Sequence, residues 1–375
     1  MKVKLFESAE VFNAVKASLQ TKLSCLVRLS LVIVIVSVVS ACSSVSYYSQ
    51  SVIGHSRLML ARQPIDKLIA SESVDSSLRE QLVLSKRLKQ FAVDELRLPN
   101  TNSYKSYVAL KREYPVWTVV AAPEFSLDAK QWCYPVIGCA SYRGYFKRSS
   151  AEKYAQGLQA KGFETVVGGA SAYSTLGWFA DPLLPSMMRY GDISFAETLF
   201  HEMAHQRLYI NGDSDFNEAF ASLVAEVGIV RWLSQEQDSK ATSPKIALIN
   251  YKDSLQVQRD FYNLLNESKL DLVKLYESSQ SIEAKRAKKE QIFIQLKEKH
   301  SALVNKVWGG RAWYQSWFMP ELNNAKFVAI STYRERVAEL SYFFDLCESD
   351  LERFYHNLSS LKAIDGRVVL PKSCL

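Results

Sequence analysis

The sequence predicts an α+β protein that is mainly helical, with a small mixed sheet and a long helical C-terminal half. Three observations support this class. Apolar residues recur at helical spacing over most of the chain after residue 190, and two short apolar runs in the first half have the pattern of buried strands. The composition, 48% hydrophobic and 23% charged, is that of an ordinary globular chain. It excludes a disordered protein, a collagen and a disulfide-rich miniprotein.

Length and charge limit the organisation of the chain. Its 375 residues suffice for one large domain or two smaller ones, and no internal repeat or Pro/Gly-rich linker divides them. We therefore expect a single domain over 42–375 after a leader at 1–41. The net charge is +7, of which the leader contributes +3 through five cations and two acidic residues. The remaining +4 is dispersed, which argues against nucleic acid as a partner.

The first 41 residues have the pattern of an export signal. An uncharged run of 11 residues at 29–39 follows two cationic residues. It is too short for a membrane-spanning helix, which needs about 20 apolar residues. Residues 39–42, Val-Ser-Ala-Cys, resemble the lipobox of bacterial lipoproteins, which implies cleavage before Cys42 and a lipid anchor on its thiol. An uncleaved signal anchor is the alternative. By the same resemblance, Ser43 implies an envelope protein in the outer membrane that faces the periplasm.

Four cysteines follow Cys42, and an even number suits an oxidising compartment outside the cytoplasm. Three pairings are possible, and the simplest joins Cys133 to Cys139 and Cys347 to Cys374. Free buried thiols are the alternative.

Periodicity places the elements of the first half in order. Apolar residues at helical spacing predict helices at 57–70 and 77–96. The run Val-Trp-Thr-Val-Val-Ala at 116–121 predicts a buried strand. A short helix follows at 151–160, and a second strand at 163–167 ends at a Gly-Gly pair.

The second half is predicted to be helical almost throughout, in four helices: 194–209, 214–235, 246–307 and 325–361. Ser194 and Glu197 have the spacing of a capping box at the start of the first of these helices. That helix is expected to end near Asn211-Gly212, because Gly commonly follows the last helical residue. The next helix is expected to begin at Ser214.

The chemistry of the chain is predicted at His201-Glu202-Met203-Ala204-His205. Positions i and i+4 share a helix face, so both imidazoles can reach one cation while Glu202 lies beside them, where it can take a proton from water. The chain has only 5 His, so two at this spacing are informative. Two surface histidines on an amphipathic helix are the alternative.

A catalytic zinc ion needs a third protein ligand and an open fourth position. His205 precedes Gly212 by seven residues and Glu218 follows it by six, so two helices folded back across this turn bring the carboxylate to the imidazoles. Glu218 is the predicted third ligand. Glu226, two turns further along the same face, is the runner-up. Alternatively, Glu218 only caps its helix, since Asp215 and Glu218 also have capping-box spacing.

The two motifs together resemble the gluzincin metallopeptidases, in which His-Glu-x-x-His is followed by Asn-Glu-x-x-Ala with the Glu on zinc. In this chain the second motif is Asn-Glu-Ala-Phe-Ala at 217–221. The intervening segment is shorter than in aminopeptidase N-like enzymes, which implies a tighter turn.

A family of bacterial lipoproteins known as predicted aminopeptidases resembles almost the whole chain after the leader. The shared motifs are Tyr-Tyr-x-Gln at 47–50, Arg-x-Pro-Ile at 62–65, Trp-Cys-Tyr-Pro at 132–135, Gly-Cys at 138–139, Tyr-Arg-Gly at 142–144, Ala-Tyr-Ser-Thr-Leu-Gly at 172–177 and Asn-Asn-Ala at 323–325. This resemblance implies a zincin-like metallopeptidase domain with helical N- and C-terminal extensions and a zinc cofactor.

The resemblance to zincins implies two further groups of residues. An edge strand upstream of the metal helix usually binds the substrate backbone, which indicates Ala172, Tyr173 and Ser174. A tyrosine or histidine from a later region donates to the oxyanion, which indicates Tyr333, with Tyr173 as a second candidate. A Gly/Ser-rich loop and tyrosines of the core are the respective alternatives.

The expected activity is hydrolysis of a peptide substrate by zinc-activated water, with Glu202 as general base. An aminopeptidase also needs an anionic group for the free amino terminus, and Asp181 and Asp192 lie nearby in sequence. The sequence leaves exo- versus endopeptidase action and the oligomeric state open. Two other functions are alternatives: a non-catalytic envelope lipoprotein with a structural metal site, and a metallo-amidase acting on cell-wall peptides.

Overall fold

The computed structural model describes residues 47–134, 138–175, 179–235, 243–319, 321–331 and 334–375. The chain forms two compact units, Met1–Arg57 and Leu58–Leu375. In the first unit residues 47–57 are helical (α1). The leader and Cys42 lie outside the described residues. Within the described ranges, no helix combines the length and the apolar character that crossing a bilayer requires.

The strands of the second unit are short and lie in its first half: β1 (Gln63–Pro64), β2 (Ser106–Tyr107), β3 (Val116–Pro123), β4 (Trp132–Tyr134), β5 (Gly138–Ala140), β6 (Arg143–Tyr145) and β7 (Phe163–Ala170). β1 pairs with β2, and β4 pairs with β5. The largest sheet has the strand order β6-β3-β7. β7 pairs with β3 over its full length, so the strands predicted at 116–121 and 163–167 are confirmed.

The prediction of a mixed sheet is wrong, because every ladder between the described strands is antiparallel. β6 and β7 lie on either side of β3 and run in the same direction as each other. The helix α4 (Arg148–Gln159) connects them across the sheet, close to the position predicted for it. Each flanking strand is therefore antiparallel to the central one.

Helices cover both faces of this sheet. Val120 and Ala122 of β3 pack against Val328 of α11 (Asn324–Ser331). Successive side chains of a strand point to opposite faces, and Val119 and Ala121, which alternate with the first pair, are fully buried as well. α4 contacts β3 and β7. The central strand is thus buried on both sides.

The other helices of the described chain confirm the helical second half: α2 (Ile65–Ala70), α3 (Ser76–Asp94), α5 (Pro185–Met188), α6 (Asp192–Arg207), α7 (Ser214–Gln235), α8 (Pro244–Glu277), α9 (Ile282–Lys306), α10 (Gln315–Phe318), α12 (Arg334–Leu346) and α13 (Leu351–Ser359). Three of the predicted helices are divided. The helix at 57–70 is interrupted by β1, where Pro64 cannot donate an N–H to a helix.

Capping residues divide the two long helices. Residues 246–307 form α8 and α9, and the Ser281 hydroxyl begins α9 by accepting a hydrogen bond from the Ala284 N–H at 3.3 Å. Within 325–361, α12 ends before a turn, and Asp350 begins α13 by accepting from the Arg353 N–H at 2.8 Å. Apolar periodicity continues across both turns, which is why the sequence pattern merged the helices.

Two apolar clusters hold the helices together. The larger one joins α3, α6, α7, α12 and α13. Gly228 of α7 permits a close helix approach, because a Cβ atom there would lie 2.7 Å from side-chain carbons of Leu96 and Phe200. The second cluster, around Phe261 and Leu296, holds α8 against α9.

Disulfide bonds join Cys133 to Cys139 and Cys347 to Cys374. The first lies within the β4–β5 hairpin, and the second ties the turn after α12 to the C-terminal segment. These are the local pairings that the sequence suggested.

Candidate metal centre

A helical hairpin, α6 followed by α7, positions the candidate site. His201 and His205 lie one turn apart on α6, and Glu218 lies in the first turns of α7.

The predicted end of α6 near Asn211-Gly212 is wrong, because the helix ends at Arg207 and Leu208 is already extended. The cause lies in α7: the Asn217 side-chain amide accepts from the Ile210 N–H and donates to the Ile210 carbonyl, each at 2.8 Å. The turn beyond is completed by Gly212, whose φ of +96° suits glycine.

The helix caps differ from those predicted. α6 has Gly191 at its N-cap position without a side-chain cap, so the capping box of Ser194 and Glu197 does not form. Glu197 instead accepts a hydrogen bond from the Tyr251 hydroxyl at 3.0 Å. At the start of α7, Asp213 accepts from the Phe216 N–H at 2.9 Å. This leaves the Glu218 side chain directed to the histidines.

The three predicted ligand residues lie together. Nε2 of His201 is 3.2 Å from a Glu218 carboxylate oxygen and 3.1 Å from Nε2 of His205. Nε2 of His205 is 3.5 Å from the other Glu218 oxygen. One ligand atom from each residue lies within 4.8 Å of the others, and Glu226 is not part of this group. Side-chain exposure falls from 46% for Glu218 through 23% for His201 to 6% for His205, so the group opens to solvent on one side.

The donor set suits a divalent cation. Two imidazole nitrogens and a carboxylate converge on one point, and these are ligand types that divalent zinc binds. Burial lowers the pKa of His205 to about 4, with His201 adding to this effect. For His201 burial also lowers the pKa, but the hydrogen bond to Glu218 and the charge of Glu202 outweigh it, so the pKa is raised. His205 is thus neutral at pH 7, the form that binds metals.

Glu202 lies beside the cluster on the same helix. Burial raises the pKa of its carboxyl group to about 7; His201 and a hydrogen bond with Ser174 oppose the rise, while Glu218 and Asp181 add to it. A carboxyl group with a pKa near the working pH can both accept and return a proton. This is the property that a general base in the site requires.

The segment predicted to bind substrate lies next to Glu202. β7 is an edge strand, but it ends at Ala170, and residues 171–175 have no regular structure, so the predicted strand at 172–174 is not present. Ser174 nonetheless hydrogen-bonds Glu202. Tyr173 packs its ring 5.6 Å from that of Phe146, between centroids.

Neither aspartate considered for the amino terminus is placed to bind it. Asp181 is fully buried, and its two carboxylate oxygens accept from the N–H and the hydroxyl of Thr175 at 2.9 and 2.7 Å. Asp192 is the first residue of α6, more than two turns before His201. Asp181 therefore fixes the segment that contacts Glu202 instead of facing a ligand.

Tyr333, predicted as an oxyanion donor, lies outside the described residues. A tyrosine that sequence analysis did not select, Tyr209, lies beside the cluster, with its ring centroid 6.3 Å from that of His205. Burial and then the charge of Glu218 raise the pKa of its phenol, so it stays protonated. Tyr209 follows His205 by four residues, a spacing that places two side chains on the same face of a helix, and this spacing could have identified it.

Comparison with known proteins places the chain by its sequence. No curated protein and no solved structure matches it. One family profile matches residues 46–367. This range includes His201, His205 and Glu218. The chain therefore belongs to the family described as "Putative aminopeptidase".

Proposed function

We propose that this chain is a zinc-dependent peptidase, an aminopeptidase as its family description says, that cleaves peptide bonds with Glu202 as general base. The observation that carries the proposal is the convergence of two imidazoles and a carboxylate beside a half-buried glutamate, Glu202, whose pKa desolvation raises to about 7. The family supports peptidase activity in general. The geometry of the site supports the two more specific parts of the proposal, a bound metal ion and Glu202 as the base.

The residues fit zinc better than other common metals. His201, His205 and Glu218 supply two nitrogens and one oxygen, a ligand set found in catalytic zinc sites that keep an open position. A structural zinc site would be closed by a fourth protein ligand, and the described part of the chain groups only these three. When bound, the zinc ion supplies Lewis acidity that acidifies a water molecule and polarises a carbonyl group.

The residues of the chain then handle the proton. Glu202 accepts a proton from the attacking water on a carboxylate oxygen and delivers it to the nitrogen of the leaving amine. The hydrogen bond with Ser174 orients that carboxylate. A bound cation would lower the pKa of Glu202 and so would favour the carboxylate form that accepts a proton.

We also propose that the chain is a lipoprotein, anchored by Cys42 in the outer membrane and facing the periplasm. The lipobox-like residues 39–42 support this placement. The disulfide bonds support it independently, since such bonds persist in oxidising compartments. Replacement of Cys42 by Ser should abolish incorporation of labelled lipid and release the protein from the membrane fraction.

The decisive experiment compares variants of the soluble form that begins at Ser43. We expect Glu202→Gln to keep one zinc per chain and to lose about 10²–10⁴-fold in kcat on a peptide library. Glu218→Gln should lose zinc, measured by elemental analysis, while the matched control Glu226→Gln should keep both zinc and turnover. Zinc at full occupancy without turnover on any peptide would contradict the proposal and indicate a structural site. Turnover restricted to cell-wall muropeptides would indicate the amidase.

A further inference from the structure

The aromatic ring of Tyr209 lies next to the candidate metal centre. The backbone leaves α6 at Leu208 in an extended conformation, which carries the Tyr209 ring alongside His205 at an interplanar angle of 66°. The side chain is 40% exposed. Its hydroxyl makes no hydrogen bond within the part of the chain that the structure describes.

The other tyrosines around the cluster are either buried or already engaged. The Tyr104 side chain is 4% exposed and its hydroxyl is buried, so it does not face solvent. Tyr251 donates to Glu197, and Tyr173 packs against Phe146. Tyr209 differs from them in being exposed while making no hydrogen bond to a described residue.

The proposed reaction would be faster with a hydrogen-bond donor at the carbonyl oxygen. Attack on an amide carbonyl places negative charge on its oxygen, and preorganised donors at that position lower the barrier. The groups that influence the ionisation of Glu202 and Glu218 are histidines, carboxylates and a serine, with no lysine or arginine among them. A neutral phenol can meet the developing charge without competing with the cation.

We propose that Tyr209 donates a hydrogen bond to the carbonyl oxygen of the scissile peptide bond as that oxygen becomes anionic. This inference rests on the proposed peptidase function. The phenol keeps its proton throughout, so the proton balance of the reaction still runs from water through Glu202 to the leaving amine. Tyr209 then takes the role that the family resemblance assigned to Tyr333.

The test uses Tyr209→Phe in the full chain, with Tyr342→Phe as matched control, because Tyr342 is an exposed tyrosine (68%) on the separate helix α12. Loss of one oxyanion donor costs about 10²–10³-fold in kcat. We expect this loss in Tyr209→Phe, with KM within about threefold of wild type, since the donor acts in the transition state. Zinc content and circular dichroism should match wild type.

A binding measurement without turnover gives a second readout. A phosphinic pseudodipeptide carries a tetrahedral anionic centre, so its affinity should fall by about 10²-fold in Tyr209→Phe and stay unchanged in Tyr342→Phe. Unchanged kcat and unchanged phosphinate affinity in Tyr209→Phe would overturn the inference. Loss of zinc from that variant would also overturn it, by making Tyr209 a ligand. If zinc-loaded wild type turned over no peptide, the proposed function would fail, and the phosphinate affinities would still decide the role of Tyr209.

Discussion

Burial shifts the pKa values of two neighbouring residues of α6 in opposite directions. It lowers the pKa of His205, whereas the pKa of Glu202, three residues earlier, is raised by burial and by two carboxylates. Desolvation disfavours the charged form in both cases, so it produces a neutral imidazole and a weakly acidic carboxyl group side by side. The chemistry of the site thus follows from how deeply each side chain is buried.

Ser174 has a small influence on the pKa of Glu202, after burial and three charged neighbours. Its hydrogen bond favours the carboxylate and lowers the pKa of Glu202. In Ser174→Ala that pKa should rise, so the base stays protonated up to a higher pH. The acid limb of the kcat/KM profile, which reports the free enzyme, should move to higher pH, while activity on the alkaline plateau changes little.

Ser171→Ala is the matched control, because Ser171 lies in the same segment and makes no side-chain hydrogen bond within the described residues. Its pH profile should overlay that of wild type. An unmoved acid limb in Ser174→Ala would show that Ser174 does not act on Glu202.

The spacing of residues in the sequence was sufficient to predict the three candidate ligand residues. It was not sufficient to predict which side chains contact them. His201, His205 and Glu218 could be chosen because helix periodicity and one turn fix their relation. The contact between Ser174 and Glu202 joins residues that are 28 positions apart in sequence, and it depends on tertiary packing, which periodicity does not encode. The helix predicted at 194–209 includes Tyr209, whereas the observed helix ends at Arg207, so helix periodicity did not place this ring.

The α6–α7 turn is the element on which the geometry of the site depends. Asp213, which caps α7, also accepts from a guanidinium nitrogen of Arg336 at 2.5 Å and from the Val368 N–H at 2.7 Å. Both charged side chains are buried, at 5% and 8% exposure. The ion pair therefore ties the start of α7 to α12 and to the C-terminal segment.

Replacement of Asp213 by Asn should strongly destabilise the protein. Removing one partner of a buried ion pair leaves an uncompensated charge, at a cost of about 3–5 kcal/mol. We expect the low end, near 3 kcal/mol, because Glu339 lies 3.4 Å from another nitrogen of Arg336 and partly compensates it. Urea denaturation measures the change in the free energy of unfolding.

The exposed pair of Lys299 and Glu267 supplies the comparison. Glu267→Gln should cost less than about 1 kcal/mol, since exposed ion pairs contribute little. Adding Arg336→Leu to Asp213→Asn should recover part of the lost stability by removing the unpaired charge. Equal costs for Asp213→Asn and Glu267→Gln would show that the buried pair does not stabilise the turn.

Element positions were predictable where local pattern dominates. The strands at 116–121 and 163–167 and the start of α7 at Ser214 follow from apolar runs and turn residues. The breaks inside the long helices do not, because α8 and α9 both need an apolar face for the shared cluster and the pattern continues through Ser281. The end of α6 was missed for a different reason, since it depends on an amide from Asn217 in the next helix.

At the scale of the whole second unit, one asparagine links the sheet to the helical half. The Asn324 side-chain amide donates to the carbonyls of Pro123, Glu124 and Ser126, and its backbone N–H donates to Glu164. Glu164 also pairs with Lys289 of α9, at 2.5 Å. The Asn-Asn-Ala motif at 323–325 thus has a structural role, because it fixes α11 against the end of β3.

The disulfide bonds should stabilise the protein unequally. In the chain-entropy account a cross-link stabilises more when it closes a longer loop, by about 3.6 kcal/mol for a separation of 27 residues and about 2.2 kcal/mol for one of 6. The variant Cys347→Ala/Cys374→Ala should therefore lose more free energy of unfolding than Cys133→Ala/Cys139→Ala. Urea denaturation of both variants and of the wild type, with and without reductant, measures their free energies of unfolding. After reduction, each variant should have the same free energy of unfolding as the wild type. This account would be contradicted if reductant left the free energy of unfolding of the wild type unchanged. It would also be contradicted if the variant without the 133–139 disulfide lost more free energy of unfolding than the variant without the 347–374 disulfide.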